Sequence, residues 1–185
     1  MNNGLVFLVN TVFDLYLFVL TIRLILCWVH ADFFNPAAQL IIKLTQRIIL
    51  PLRKIIPNKS GIEFSTLTVM FVLEILKFLL ITLMASKFPH VMGLLILSFA
   101  DIVKLILNTF FYAIFLQAIL TWIQQGYSPL FIILQKMTDP VLSPFQRLIP
   151  PISGFDLSPI AALIFLQFVI IVAVSPLMSI GVSLL

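Results

Sequence analysis

Apolar residues gather into four long stretches, at residues 5–29, 64–84, 102–123 and 157–175. Each is near or above the roughly 20 helical residues that a bilayer core requires. Inside each outer pair of stretches the pattern changes. In residues 36–50, Gln39, Lys43, Gln46 and Arg47 recur at three- and four-residue spacing while Leu40, Ile41, Leu44 and Ile48 fill the other face. That periodicity predicts an amphipathic helix with a basic stripe, suited to lying in the membrane plane. Pro51 is expected to break it, because proline lacks the amide donor and clashes with the preceding turn. The matching segment, PLFIILQKMTDPVLSP, has a weaker stripe and two internal prolines, Pro140 and Pro144, which predict a shorter helix.

Residues 87–100 are apolar but supply only about a dozen residues beyond Pro89, short of a span. They either extend the third helix beyond the membrane or form a hairpin in the interface. Four spans give the two halves one orientation, whereas a fifth would invert the second half. The expectation is four, with a first unit at 1–86, an apolar connection at 87–100 and a second unit at 101–185.

The halves resemble each other. Shifting the chain by 93 positions, the distance from Thr45 to Thr138, superimposes TQRIILPLRKIIPNKSGIEFST on TDPVLSPFQRLIPPISGFDLSP. Pro51 then meets Pro144, Pro57 meets Pro150, Gly61 meets Gly154 and Ser65 meets Ser158, while Lys54/Arg147 and Glu63/Asp156 agree in charge. The fold class expected is therefore an all-α membrane protein: four transmembrane helices arranged as two tandem repeated hairpins with interfacial amphipathic helices.

Composition fits this class. The chain is 62% hydrophobic and 10% charged, with a mean hydropathy of +1.20, against roughly 25% charged residues in soluble domains. The formal charge of +4 does not point to nucleic acid, since its basic residues are sparse and flank apolar spans. Anionic lipid headgroups are the expected partner. Cys27 is the single cysteine, which excludes an intrachain disulfide. The N-terminal stretch lacks the basic region and cleavage pattern of a secretory signal and reads as a retained span. Lys43, Arg47, Arg53, Lys54 and Lys59 lie in the first hairpin connection and Lys136 and Arg147 in the second. Both connections are thus expected on the cytoplasmic side and both termini outside. Lys87 and Lys104 argue mildly the other way.

The repeated element has the form Pro-x-x-basic-x-Ile-Pro-x-x-Ser-Gly-x-acid-x-Ser. PLRKIIPNKSGIEFS and PFQRLIPPISGFDLSP resemble the paired signature of the YggT family of bacterial membrane proteins, which also occurs in cyanobacteria and plastids. The resemblance covers nearly the whole chain, although Gln46 and Arg47 stand where the second copy has Asp139 and Pro140. It implies a four-span, duplicated protein of the cytoplasmic membrane. Relatives are loosely associated with osmotic or ion homeostasis, with genes near cell-division functions and, in plastids, with haem attachment to a cytochrome complex.

Physical roles for the motif residues are open between two readings. In a turn-and-anchor reading, Pro51 and Pro144 begin a short turn and Pro57 and Pro150 stop it. Gly61 and Gly154 then allow a positive backbone angle, Ser65 and Ser158 cap the entering spans, and Lys54 pairs with Glu63 and Arg147 with Asp156. In the other reading, the same residues form a surface that docks lipid or a membrane-protein partner.

Polar residues inside the spans are the second set of candidates. Arg23 lies about 9 Å and Glu74 about 15 Å from the cytoplasmic ends, at about 1.5 Å per residue, so a contact between them is expected. Their counterparts Gln117 and Gln167 can pair as amides. Asp14 matches Asn108, lies at about the depth of Lys77, and can meet either one. Arg23 and Glu74 serve packing or an ion or proton route, or else Arg23 snorkels beside a protonated Glu74, since a charge at the bilayer centre costs about 2.5 to 3.5 kcal/mol.

Walker, HExxH, GxSxG and dinucleotide motifs do not occur. His30, near Asp32, and His90 are isolated, so neither catalysis nor haem ligation is well supported. The expectation is a non-enzymatic assembly or homeostasis factor, with no catalytic residue, cofactor or metal, that binds lipid, a membrane protein or further copies of itself. The alternative is an oligomeric channel or transporter using Asp14, Arg23, Glu74 and Lys77.

Overall fold

The structure is a computed structural model that describes residues 2–56, 61–85, 89–123, 128–149 and 156–185. Pro57, Pro150 and Gly154 of the motif lie outside the described residues. The described residues form helices joined by connections, with no strand among them.

Helix α1, Asn2–Trp28, is a continuous apolar rod. It ends in a Schellman arrangement, in which Ala31 N–H reaches Leu26 O at 2.9 Å and His30 N–H reaches Cys27 O at 3.2 Å. The left-handed position there is filled by His30, at φ 49°, rather than by glycine. Helix α2, Pro36–Arg53, starts where the Asn35 side chain accepts from Ala37 N–H at 2.9 Å with Pro36 next in line. Helix α3 is Phe64–Met84 and α4 is Val91–Ile123. Helix α5, Pro129–Leu148, copies the entry of α2: Ser128 Oγ accepts from Phe131 N–H at 3.1 Å and Pro129 follows. A last rod consists of α6, Ser158–Val169, a π-helical turn at Ile170–Val174, and α7, Ser175–Ser183. The widened turn precedes Pro176, which has no amide to donate, and Ser175 Oγ donates to Ile170 O at 3.1 Å.

Four rods are long and apolar enough to cross a membrane: Gly4–Trp28, Phe64–Met84, Val91–Thr121 and Ser158–Ser183. Of the two alternatives for the apolar connection, the helix extension holds: residues 91–100 begin α4, whose 33 residues reach about 50 Å at 1.5 Å each. The proline expectations change. Pro51 does not end α2 at Leu50, for the helix continues to Arg53. Nor is the second connection helix shorter: α5 has 20 residues against 18 in α2 and runs through Pro140 and Pro144. All three prolines are exposed, so the carbonyl each leaves unpaired can face outward to be solvated, and the helix continues rather than stops. Pro51 and Pro144 therefore lie within helices instead of opening turns.

Helix α4 packs against α1, α3, α5, α6 and α7, making it the centre of the bundle. Its contact with α7 is close because Gly93 and Gly181 lack side chains; a Cβ on Gly181 would stand 3.0 Å from the Leu97 backbone nitrogen. Leu17, Leu20, Val69, Met70 and Ile102 form one core between α1, α3 and α4, closed at one end by Ile49 of α2. Leu26, Ala38, Ile114, Leu134, Met137 and Ala162 form a second beneath α2 and α5. These two connection helices touch each other, with Asn35 Nδ2 donating to Pro129 O at 2.7 Å.

Candidate functional site

Arg23 enters the space between α1, α2 and the start of α3. Its Nε donates to Glu63 Oε2 at 2.7 Å and its Nη2 to Glu63 Oε1 at 2.8 Å, while Nη1 donates to Thr45 Oγ1 at 2.9 Å. Thr66 Oγ1 adds a 2.6 Å bond to Glu63 Oε2, and Cys27 Sγ lies 3.7 Å from the same oxygen. Arg23, Thr45 and Glu63 are all buried. One guanidinium thus ties together three helices through a bidentate carboxylate contact, the strongest geometry available to such a pair. Burial pushes the Glu63 carboxyl up, but the bonds from Arg23 and Thr66 outweigh it and hold the group below its ordinary range.

This arrangement corrects two expectations. Arg23 does not meet Glu74, because its arm extends toward the end of α1 and finds Glu63 first. Glu63 does not pair with Lys54, which is exposed and makes no ion pair among the described residues. Nor does Ser65 cap α3: Glu63 occupies the N-cap, and the buried Ser65 hydroxyl has no hydrogen-bond partner among the described residues. Gly61 does take a positive φ, of 80°, directly beneath His30.

In the second half, Thr138 Oγ1 donates to Gln117 Oε1 across α4 and α5. The positions matching Arg23 and Thr45 are therefore again in contact. Gln117 makes no bond to Gln167, and neither the Gln167 nor the Asn108 side chain makes a hydrogen bond among the described residues. Asp156 accepts from Ser158 N–H at 2.8 Å and from Gln146 Nε2 at 3.2 Å. The expected Arg147 contact is absent among the described residues, because Arg147 points to the exposed side of α5. Burial raises the Asp156 carboxyl, yet the Ser158 and Gln146 bonds hold it below its ordinary range. Ser158 is the first residue of α6 rather than its cap, and it too is buried without a hydroxyl partner among the described residues.

A separate cluster forms between α1, α3 and α4. Lys77 Nζ lies 2.9 Å from Asp14 Oδ1, 2.7 Å from Glu74 Oε2 and 2.8 Å from Asp101 Oδ2. Lys77 and Glu74 are buried, whereas the Asp14 side chain is 57% exposed. Each carboxylate brings an oxygen within 4.8 Å of the other two. Lys77 donates hydrogen bonds to Asp14 and Asp101, Glu74 adds an ion-pair contact, and three acids around one ammonium leave an excess of two negative formal charges. Asp101 was missed by sequence reasoning because it falls one residue before the predicted third span. Its signal was present, as an acid inside an apolar run.

Four membrane-length helices held together by buried charged and amide contacts define a multi-pass helical membrane protein. The profile of the CCB3/YggT family matches residues 2–84 and 96–177, and the chain belongs to that family. It is 39% identical over 168 residues to an uncharacterized protein from the proC 3' region of Vibrio alginolyticus, covering 90% of this chain and 91% of the relative. YggT of Escherichia coli K12 is 38% identical over 170 residues, 91% of this chain and 87% of the relative. The shorter ycf19 protein of Porphyra purpurea is 34% identical over 89 residues, which are 47% of this chain but 90% of the relative. No solved structure matches this chain.

Proposed function

We propose that the protein is a non-enzymatic factor for membrane assembly or homeostasis in the bacterial cytoplasmic membrane, built from two tandem repeated hairpins. It binds anionic lipid headgroups and a membrane-protein partner through the cytoplasmic face formed by α2, α5 and the motif residues. Both connections lie on the cytoplasmic side and both termini outside, following the distribution of basic residues. The ycf19 relative, which aligns over about half of this chain, supports the hairpin as the repeating unit.

The observation that carries this reading is the division of α2 into three strips. Ala38, Thr45 and Ile49 are buried against the bundle, Leu40, Leu44 and Ile48 are exposed and apolar, and Lys43, Arg47 and, at the C-cap, Lys54 are exposed and basic. A helix with one side on protein, one apolar and one cationic is suited to the boundary between lipid tails and headgroups. The Arg23–Thr45 bond fixes its rotation, so the basic strip keeps a constant aspect. Each basic residue near an anionic surface contributes about 1 kcal/mol.

Photocrosslinkers placed at Lys54 and Arg147 in native membranes test the partner. Reproducible capture of one membrane protein supports docking, and a uniform background at both positions opposes it. Combined Lys43→Gln, Arg47→Gln and Lys54→Gln should sharply lower co-purified phosphatidylglycerol.

A second reading, an oligomeric channel or transporter, draws on the excess negative charge around Lys77 and the exposed Asp14. It retains Asp14, Glu74 and Lys77 but loses Arg23, which is committed to Glu63. Cation or proton flux in liposomes that is abolished by Glu74→Gln would favour it over the docking reading.

A further inference from the structure

Glu63 and Asp156 hold the same place in the motif, Thr45 and Thr138 likewise, and Gln117 stands 94 positions beyond Arg23. In the first half the guanidinium of Arg23 fills the space between the two spans and the connection helix. Gln117 is shorter, uncharged and turned to Thr138. The corresponding space, between α4, α5 and the start of α6, holds a cavity of about 500 Å³. Asp156, Gln146 and Gln117 are among its polar lining, and Phe115, Ile160 and Leu163 are among its apolar lining.

Asp156 has no cationic partner among the described residues, whereas Glu63 has Arg23. We propose that this cavity seats a lipid with a primary ammonium headgroup, the ammonium against Asp156 and the start of an acyl chain along Phe115 and Ile160. Charge complementarity selects a cation, because the first half fills the same position with one of its own. Size and lining select an amphiphile: the volume far exceeds an ammonium, and most of the wall is apolar. Phe115 and Ile160 are about half exposed on the outward side of the spans, so the cavity opens where a bilayer lipid arrives laterally. A primary ammonium offers three N–H donors to the carboxylate and amide oxygens, and a quaternary choline offers none. This inference rests on the chain being a membrane protein and not on the basic face of α2.

The full chain, purified and delipidated in detergent, can be titrated with dioleoyl-phosphatidylethanolamine and dioleoyl-phosphatidylcholine and examined by native mass spectrometry. The ethanolamine lipid should be retained about tenfold more strongly, equivalent to about 1.4 kcal/mol. Asp156→Asn should remove the preference. Gln117→Arg should also remove it, by supplying the cation that the first half carries, and this variant is expected to fold at least as well as the parent. Equal retention of the two lipids, or an undiminished preference in both variants, overturns the proposal. Displacement by free ethanolamine at matched concentration would make a soluble amine the occupant and overturn the lipid. So would a co-purified protein whose loss follows Asp156→Asn while lipid retention does not.

Discussion

Arg23 of α1 and Glu63 at the N-cap of α3 share two hydrogen bonds of 2.7 and 2.8 Å in a buried position. Removing one partner leaves the other as an uncompensated charge, and breaking such a pair typically costs about 3–5 kcal/mol. Glu63→Gln should therefore destabilise the protein by about that amount in detergent thermal unfolding. The double variant Arg23→Gln/Glu63→Gln should recover more than half of the loss, because no orphaned charge remains. If the double variant were as unstable as the sum of the singles, the pair would not be acting as a unit.

The same pair makes stability depend on acid. Glu63 is held below its ordinary range when folded, so the unfolded chain takes up the proton first. Stability from this group is fully present above the unfolded carboxylate value of about 4.3 and is lost as pH falls through the lower folded value. Melting curves of the parent and the double variant, taken from pH 7 to pH 3, should differ in slope below about pH 4. The parent should lose more stability over that range.

Lys77 and its neighbours predict an asymmetry between cation and acids. Lys77→Met leaves Asp14, Glu74 and Asp101 together without their ammonium and should cost about 3–5 kcal/mol. Asp101→Asn removes one of the excess negative charges while keeping an oxygen for Lys77, and should change stability by less than about 1 kcal/mol. Paired unfolding measurements in detergent decide this. Equal losses would mean that charge balance is not what the cluster provides.

Gly61 has φ 80°, and a Cβ there would stand 2.8 Å from His30 Cε1. Gly61→Ala is expected to cost about 1–2 kcal/mol from backbone conformation alone, with steric crowding added. His30→Ala should remove only the crowding. A double-mutant cycle measured by thermal unfolding should return a coupling of about 0.5 kcal/mol or more between the two positions.

Much of the architecture could be read from hydropathy. Hydropathy puts the second span at residues 64–84 and it occurs as Phe64–Met84, because its flanks combine a proline-glycine segment with an abrupt loss of polarity. The proline rules misled at Pro51, Pro140 and Pro144, since a missing amide breaks a helix only where the freed carbonyl cannot be solvated. Depth along the helices brought Asp14 and Lys77 to one level, and the structure joins them at 2.9 Å. Depth failed for Arg23, whose long arm can reach well beyond its own Cα and whose partner lies outside the apolar stretch altogether. The match between Thr45 and Thr138 was visible as sequence identity. Its meaning, a hydroxyl that receives Arg23 in one half and donates to Gln117 in the other, required coordinates.

The bond from Asn35 to the Pro129 carbonyl has a mechanical consequence. It yokes the opening turns of the two connection helices, which are 94 residues apart in the chain. A tug on α2 passes to the mouth of α5 through this strut, without crossing the long apolar rods between them. Anything that grips the entry of one connection helix also loads the entry of the other.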